Sequence, residues 1–366
     1  MSGDHARHMA HALTLGRRGL GRSWPNPAVG CVIVSDGCVV GRGFTQPGGR
    51  PHAETLALVQ AGAQALGATV YVTLEPCAHH GQTPPCAEAL VAAGVARVVC
   101  ALGDPDTRVA GAGFARLRAA GIEVIVGPGA GQAARDQAGF LSRINRLRPS
   151  ITLKLASSFD GRIATATGES RWITGPVARR AVHGLRMSHD AVMVGGGTAR
   201  ADDPMLDVRG YGAVRQPVRV VLSGGLNLPQ GGRLACSARQ LPLWLVHGAG
   251  ADATPWQALG ARTFEVPGME PVAVLRTLAA AGLTRVLCEG GGALAASLLR
   301  AGVVDRLIGF TAGLALGPEG RPGLGDLGLG RLADAPRFRL ERVSDVGGDV
   351  MSEWVLSAPE MGAAGQ

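Results

Sequence analysis

The chain has 366 residues, 46% of them apolar; that is more than one core usually organises, so two globular domains are expected, and no apolar run is long enough to cross a membrane. Lysine and arginine outnumber aspartate and glutamate 36 to 28, a net charge of +8 that suits anionic partners; the basic residues are dispersed and aromatics are only 4%, which disfavours a stacking platform for single strands and favours a small phosphorylated ligand. Seven cysteines are too few and too irregular for a disulfide framework, and the segment up to Gly21 lacks the apolar core of a secretory signal, so a cytoplasmic protein is expected.

In chain order, a helix precedes Gly21, and strands at Gly30 to Val34 and Val39 to Phe44 are joined by Asp36-Gly37, a hairpin signal. A helix starts at His52, followed by a strand at Thr69 to Leu74, a helix over Cys86 to Ala93 and a strand at Arg97 to Leu102. A helix near Gly113 to Ala120, a strand at Ile122 to Val126 and one helical stretch from Gly131 to Arg146 complete an α/β layered pattern. Arg148-Pro149 discourages further helix and sets a boundary, with domains expected over 1–147 and 148–366. Beyond it, apolar runs at Ile151 to Ala156, Ala191 to Val194, Val218 to Leu222, Leu243 to Val246, Arg285 to Cys288 and Arg306 to Phe310 alternate with helices such as Val177 to Met187. A last strand is expected at Glu353 to Leu356, loops over the glycine-rich Gly313 to Gly330, and a mobile tail after Pro359. Cys31, Cys38, Cys100, Cys236 and Cys288 sit in apolar runs and read as small core residues.

Cys77 and Cys86 stand apart. Pro51-His52-Ala53-Glu54 opens a helix, and Thr73-Leu74-Glu75-Pro76-Cys77 is followed by His79, His80 and Thr83-Pro84-Pro85-Cys86. One imidazole and two thiolates, His52, Cys77 and Cys86, make a three-ligand set for a catalytic Zn2+ with a fourth position left to water. Zinc brings that water's pKa to about 7, and Glu54, two residues past His52, can sit beside it without ligating and carry its proton to a ring nitrogen and a departing amine. Asn26, in Pro25-Asn26-Pro27-Ala28-Val29-Gly30, could hydrogen-bond a base or ribose above the metal or merely shape a turn. His79 and His80 could touch substrate, order the loop or be solvated.

The second half carries one lysine, Lys154, among 36 cationic residues, which hints at a task for a compact ammonium, the alternative being a leftover on a solvated strand face. Gly195-Gly196-Gly197-Thr198 and Gly290-Gly291-Gly292 follow apolar strands; such turns admit phosphate close to backbone amides, though each alone is a weak signal and neither has the G-x-G-x-x-G spacing.

These texts resemble one family throughout. The H-x-E element with PCAHHGQTPPC, PNPAVG, PSITLKLASSFDGRIATATGESRWITG, GGGTARADDPMLDVR and CEGGGALAASLL are similar to the bifunctional riboflavin-biosynthesis deaminase/reductases. The resemblance runs over roughly residues 5 to 357, with eight residues rather than two between the paired cysteines. It implies a cytidine-deaminase-like three-layer N-terminal domain and a dihydrofolate-reductase-like C-terminal α/β domain. The implied first reaction is hydrolytic deamination of 2,5-diamino-6-ribosylamino-4(3H)-pyrimidinone 5′-phosphate, with Glu54 as acid/base. The second is NADPH-dependent reduction of the ribosyl to a ribityl chain. Carried over position by position, Ala156, Trp172, Thr198, Asp202, Gly291 and Gly292 contact NADPH; Asn26, Lys154, Ser170, Arg186, Leu206, Arg209 and Glu289 contact substrate. Two departures stand out: Ser223-Gly224-Gly225 where the family often has an aspartate, and Asp207 for a more usual threonine. The expected partner is a small phosphorylated pyrimidine, with a homo-oligomer but neither nucleic acid nor membrane. The rivals are a nucleic-acid deaminase with a C-terminal binding module, and a deaminase with an inactive C-terminal domain.

Overall fold

A computed structural model of the chain describes residues 3–78, 84–106 and 110–357; the tail after Pro359 lies outside them. There are two compact units, one built from residues up to Leu147 with Gly282–Thr284, the other from Arg148–Ala281 and from Arg285 onward. Among the described residues no helix is long and apolar enough to cross a membrane.

The first unit is a five-stranded sheet of β1 (Gly30–Ser35), β2 (Cys38–Phe44), β3 (Thr69–Val72), β4 (Arg97–Cys100) and β5 (Glu123–Val126), in the order β2-β1-β3-β4-β5. Asp36 and Gly37, at φ 49° and 76°, make the tight turn between β1 and β2. β1 is antiparallel to both neighbours, whereas β3, β4 and β5 run parallel. Side chains alternate along β1, and each face has its own cover. Met9, Ala12 and Leu13 of helix Gly3–Arg17 pack on Val32, Val34, Tyr71 and Val99. On the other face Ala53, Ala57, Ala87, Leu90 and Leu117, from helices Ala53–Ala61, Cys86–Ala92 and Ala112–Ala119, pack on Cys31, Ile33, Val70 and Val98. The result is the expected three layers.

Helix Ala53–Ala61 lies almost directly on the backbone of β2. A Cβ on Gly43 would stand 2.0 Å from the Ala53 carbonyl oxygen, and one on Gly41 2.2 Å from that of Ala57. Only bare glycines opposite alanines permit this approach, and it fixes where His52 and Glu54 emerge.

The second unit carries a nine-stranded sheet of β6 (Ser150–Ser158), β8 (Ala191–Gly195), β9 (Val218–Leu222), β10 (Leu243–His247), β11 (Arg262–Glu265), β12 (Arg285–Cys288), β13 (Arg306–Ala312), β15 (Phe338–Asp345) and β16 (Val350–Leu356). A small ribbon pairs β7 (Arg162–Ala164) with β14 (Arg321–Pro322). The order is β11-β10-β9-β8-β12-β6-β13-β16-β15, parallel from β11 to β13 and antiparallel thereafter. The chain leaves β6, enters β8 two places away, runs outward to β11, and returns to fill the gap with β12. Such a reversal opens a crevice at the carboxyl ends of the central strands, where α/β sheets bind ligands.

Several expectations need correction. The stretch 131–146 is two helices, Ala130–Asp136 and Ala138–Arg146, broken at Gln137; this residue is buried, and its Nε2 donates 2.8 Å to the Ala28 carbonyl. Cys38 and Cys236 are exposed, not core: one opens β2 just after the hairpin turn, the other ends the short helix Arg233–Cys236. β11 and β15 carried no recognised signal, because both are edge strands whose charged residues break up the apolar run. The glycine-rich Gly313 to Gly330 is mostly loop yet firmly strapped down. Leu316 N and Gly317 N donate to Asp160, Gly323 N to the Gly161 carbonyl and Gly325 N to the Gly292 carbonyl.

Candidate active sites

In the first unit three ligand atoms converge from three elements. His52 is the residue just ahead of helix Ala53–Ala61, Cys86 is the first residue of helix Cys86–Ala92, and Cys77 follows β3 by five residues. Their ligating atoms all lie within 4.8 Å of one another. His52 Nδ1 is 3.3 Å from Cys86 Sγ and 3.8 Å from Cys77 Sγ, and Cys86 N donates 3.3 Å to Cys77 Sγ. Zinc bonds of about 2.0–2.1 Å to nitrogen and 2.3 Å to sulfur, set at tetrahedral angles, require separations of this size, so the donor set fits Zn2+. The two helix starts add partial positive charge that favours thiolate. Hydrogen bonds from Cys86 Sγ, His52 and the Cys86 backbone hold the Cys77 thiol far below its usual range, at about 4, against the opposing effect of burial.

Glu54 lies in the first turn of the same helix as His52, buried, and burial raises its carboxyl above the usual range despite the opposing pull of His52. A carboxyl so placed is suited to shuttling a proton beside the metal ligands. Asn26 makes no hydrogen bond to the triad. Its Nδ2 points to the Gly48 carbonyl at 3.5 Å and passes so close to Gly49 that a Cβ there would sit 1.8 Å away. The loop is pinned from below, because Val29 N donates to Thr45 Oγ1 and Gly30 N to Thr73 Oγ1. His79 and His80 lie outside the described residues.

Sequence reasoning passed over Glu75. This buried carboxylate accepts backbone N–H groups from Asp104, Gly111 and Phe114 at 3.2, 3.1 and 3.2 Å, tying the end of β4 and the following helix to the strand that leads into Cys77. A glutamate between an apolar strand and Pro76-Cys77 was the available signal.

In the second unit Thr198, Glu289 and Gly291 lie just past the carboxyl ends of β8 and β12, and Lys154 lies midway along β6. Lys154 lies on β6, beside Ile308 in register, its Nζ 6.0 Å from the centre of the Phe310 ring. It makes no hydrogen bond or ion pair among the described residues, and burial pulls its pKa down while Glu289 pulls it up. Its side chain is half-buried on the strand. Arg186 and Glu289 form a two-pronged ion pair, 2.6 and 2.9 Å, and Arg186 Nη1 donates 2.8 Å to the Asp207 carbonyl. Burial opposes the charge on Glu289, but Arg186 and Lys154 outweigh it and keep the carboxylate ionised.

With those donors committed, Arg186 is a poor phosphate clamp. Arg209, exposed and only loosely paired with Asp207 at 3.4 Å, keeps more capacity. Leu206 is buried in the core with Val192 and Val221, which leaves only its backbone, at φ 55°, to meet a ligand. Ser170 is half-buried on the segment after β7.

The two glycine turns meet, since Gly291 N donates 3.1 Å to Thr198 Oγ1. Gly291 precedes and Gly292 opens the helix Gly292–Arg300, whose first amides face the crevice end of β12 and suit an anionic cofactor. Ala156 pairs with Phe310 on the neighbouring strand. Asp202 ends the helix Gly196–Asp202 and its carbonyl accepts from Arg171 Nη2. Trp172 is 68% exposed, with the Arg179 guanidinium 4.6 Å above its ring, a flat surface at the rim of the unit.

Known proteins match each half of the chain. Residues 2–102 match the family described as cytidine and deoxycytidylate deaminase zinc-binding region, and residues 149–352 match the RibD C-terminal domain. The riboflavin biosynthesis protein RibD of Escherichia coli (strain K12) is 43% identical over 360 residues, 94% of this chain and 97% of that protein. That of Haemophilus influenzae is 41% identical over 355 residues, 93% and 95%. Among solved structures, Acinetobacter baumannii RibD superposes with a TM-score of 0.88 at 39% identity, covering 97% of this chain and 99% of that one. A diaminohydroxyphosphoribosylaminopyrimidine deaminase/5-amino-6-(5-phosphoribosylamino)uracil reductase from Thermotoga maritima does so with 0.87 at 32% identity, over the same shares.

Proposed function

The chain belongs to the family of the riboflavin biosynthesis protein RibD, and from that premise we propose how its own residues divide the work. It is a bifunctional enzyme of riboflavin biosynthesis, a zinc-dependent pyrimidine deaminase and an NADPH-dependent reductase. Residues 1–147 carry the first activity and 148–366 the second.

In the deaminase, His52, Cys77 and Cys86 hold the zinc, which when bound makes hydroxide available near neutral pH. Glu54 takes the proton of the water that adds to the carbon bearing the 2-amino group, delivers it to the ring nitrogen, and assists ammonia's departure; a carbonyl is left. Asn26 orients the ring. The observation carrying this reading is a buried carboxylate two residues past His52, at the start of the helix that presents one of three converging zinc donors.

In the reductase, Ala156, Trp172, Thr198, Asp202, Gly291 and Gly292 seat NADPH, which supplies hydride to the opened, imine-like ribosyl carbon. Lys154, Ser170, the Leu206 backbone and Arg209 receive the phosphoribosyl substrate, and the Arg186–Glu289 pair keeps a negative charge beside Lys154. An unpaired ammonium facing that carboxylate supports the role of Lys154.

The enzyme works in the cytoplasm, where thiol ligands stay reduced, and as a homo-oligomer. Support for the oligomer comes from the outer strands, where Leu340, Val343, Val350 and Leu356, 44, 57, 46 and 39% exposed, share one face of β15 and β16. Sedimentation at micromolar concentration should show an oligomer that Val343→Lys weakens; a monomer would overturn this.

The functional test is one assay on zinc-loaded protein with the diaminopyrimidine ribosyl phosphate and NADPH, following ammonia and NADPH together. Ammonia should appear before NADPH is consumed. Removing zinc should stop both, and added deaminated intermediate should restore NADPH loss alone. Ammonia without NADPH loss, even from that intermediate, would reduce the protein to a deaminase.

A further inference from the structure

The helix Pro176–Met187 grips the segment that follows Leu206. Arg186 Nη1 donates 2.8 Å to the Asp207 carbonyl, and Tyr211 Oη donates 3.1 Å to the Arg180 carbonyl. Between them, His183 Nδ1 lies 3.2 Å from both the Asp207 carbonyl and Arg209 N. The Asp207 oxygen already takes a proton from Arg186, and Arg209 N can only donate, so every group is satisfied when His183 Nδ1 is bare and accepting. Burial, with Arg186 and Arg209 close by, lowers the imidazole pKa and favours that neutral form. Tyr211 reaches the helix because residue 184 is glycine: a Cβ there would stand 3.0 Å from Tyr211 Oη. Gly210 and Gly212, at φ 78° and 71°, make the turns on either side of that tyrosine. From the other side, Val208 N donates 2.7 Å to Gln216 Oε1, and Gln216 Nε2 donates 3.1 Å to the Val208 carbonyl. The main chain over 207–211 is thus held from both sides, while the Arg209 side chain stays exposed.

We propose that His183 and Tyr211 are positioning residues of the reductase, which hold the Arg209 main chain so that its guanidinium stands where the substrate's phosphate arrives. The inference rests on the substrate site proposed above, in which Arg209 receives that phosphate. An arginine on an unanchored loop must lose main-chain as well as side-chain freedom when it grips an anion; a main chain ordered beforehand removes that part of the cost from binding. Arg186 is the contrast. Its donors are spent on Glu289 and on the Asp207 carbonyl, so it fixes the start of the segment and leaves the anion to Arg209. His183 Nδ1 accepts the Arg209 N–H, and without it that amide turns to water and the peptide is free to rotate.

The test follows NADPH consumption by the full-length, zinc-loaded enzyme on two substrates, the deaminated intermediate and the same compound without its 5′-phosphate. The readout is the ratio of their kcat/KM values. Arg209→Ala should collapse that ratio toward unity. His183→Ala and Tyr211→Phe should each lower it about two- to tenfold, the worth of one hydrogen bond, through KM for the phosphorylated substrate rather than through kcat. His183→Asn, whose Oδ1 offers an acceptor at the place of Nδ1, should recover most of the loss. In the Arg209→Ala background, His183→Ala should lower the ratio no further. Inorganic phosphate, as a competitor of the phosphorylated substrate, gives a second readout that needs no turnover of the other compound: its inhibition constant should rise by the same factors. Equal losses on both substrates would make the two residues ordinary parts of the fold and overturn the proposal, as would additive losses in the double variant. If Arg209→Ala itself left the ratio and the inhibition constant unchanged, the substrate site would be misplaced, and the proposal would fall with it.

Discussion

In the first unit the reacting groups come from one stretch, His52 to Cys86, at two helix starts and in the segment that follows β3, and all are half-buried or buried. In the second, Lys154, Arg186, Thr198, Arg209 and Glu289 come from five separate places between β6 and the end of β12, and Arg209 is exposed. The contrast follows from what each site must hold. A metal needs a few donors fixed to tenths of an ångström, so the deaminase centre is compact and pinned by glycine contacts at β2. A dinucleotide and a sugar phosphate need a long surface of backbone amides and scattered charges, so the reductase centre spreads along a crevice.

If the two centres are independent in chemistry, single changes should silence one and spare the other. The largest effect is expected from Glu54→Gln, which should slow ammonia release by about 10²–10⁴-fold and leave NADPH oxidation with the deaminated intermediate at the wild-type rate. Its mirror, Lys154→Ala, should slow that oxidation by at least about tenfold and spare ammonia release; parallel loss of both activities in either variant would break the comparison.

Next comes Arg186→Met, which strands the Glu289 carboxylate in a half-buried site. Removing one member of such a pair costs about 3–5 kcal/mol, and the loss should fall on the second unit. Four of the five tryptophans, Trp172, Trp244, Trp256 and Trp354, belong to that unit, so the fluorescence transition should move to lower denaturant while zinc content stays at one per chain. The converse is Gly43→Ala. Its methyl would meet the Ala53 carbonyl, and overpacking of this kind costs about 1–3 kcal/mol. Displacement of His52 and Glu54 should lower zinc affinity and ammonia release, with NADP+ binding untouched.

The smallest effect concerns pH. His189 is buried, with Nδ1 donating 2.7 Å to the Leu185 carbonyl and Nε2 accepting 2.9 Å from Thr152 Oγ1, and burial holds its pKa down to about 3 from 6.5. The folded state then binds fewer protons than the unfolded one between those values, so the stabilisation is complete above about pH 6.5 and is lost as pH falls toward 3. The second unit should lose about 1 kcal/mol between pH 6.5 and 5.5, read by tryptophan fluorescence. His189→Gln should flatten that slope; an unchanged slope would mean another group carries it.

Spacing alone made the zinc centre legible, because His52-x-Glu54 and the two Pro-Cys pairs state ligand identity directly. Backbone chemistry likewise marked the Asp36-Gly37 turn. The reductase residues were legible only through resemblance to a family, since glycine runs and single charges occur in any glycine-rich chain. The break at Gln137 went unseen, as did the edge strands β11 and β15 and the Glu75 carboxylate. Each depends on a partner far away in sequence: Ala28 for Gln137, the neighbouring strand for each edge, and the amides of Asp104, Gly111 and Phe114 for Glu75.

By itself, then, the sequence determined the chemistry that rests on residue type and local period: two α/β domains, a zinc deaminase motif and a candidate lysine. Tertiary structure decided which charges are already committed to each other, as in Arg186 with Glu289, and which remain available, as in Lys154 and Arg209. Hydrogen-bonding capacity is exhausted or spared only once distant strands have brought donors and acceptors within about 3 Å, and that no local pattern encodes.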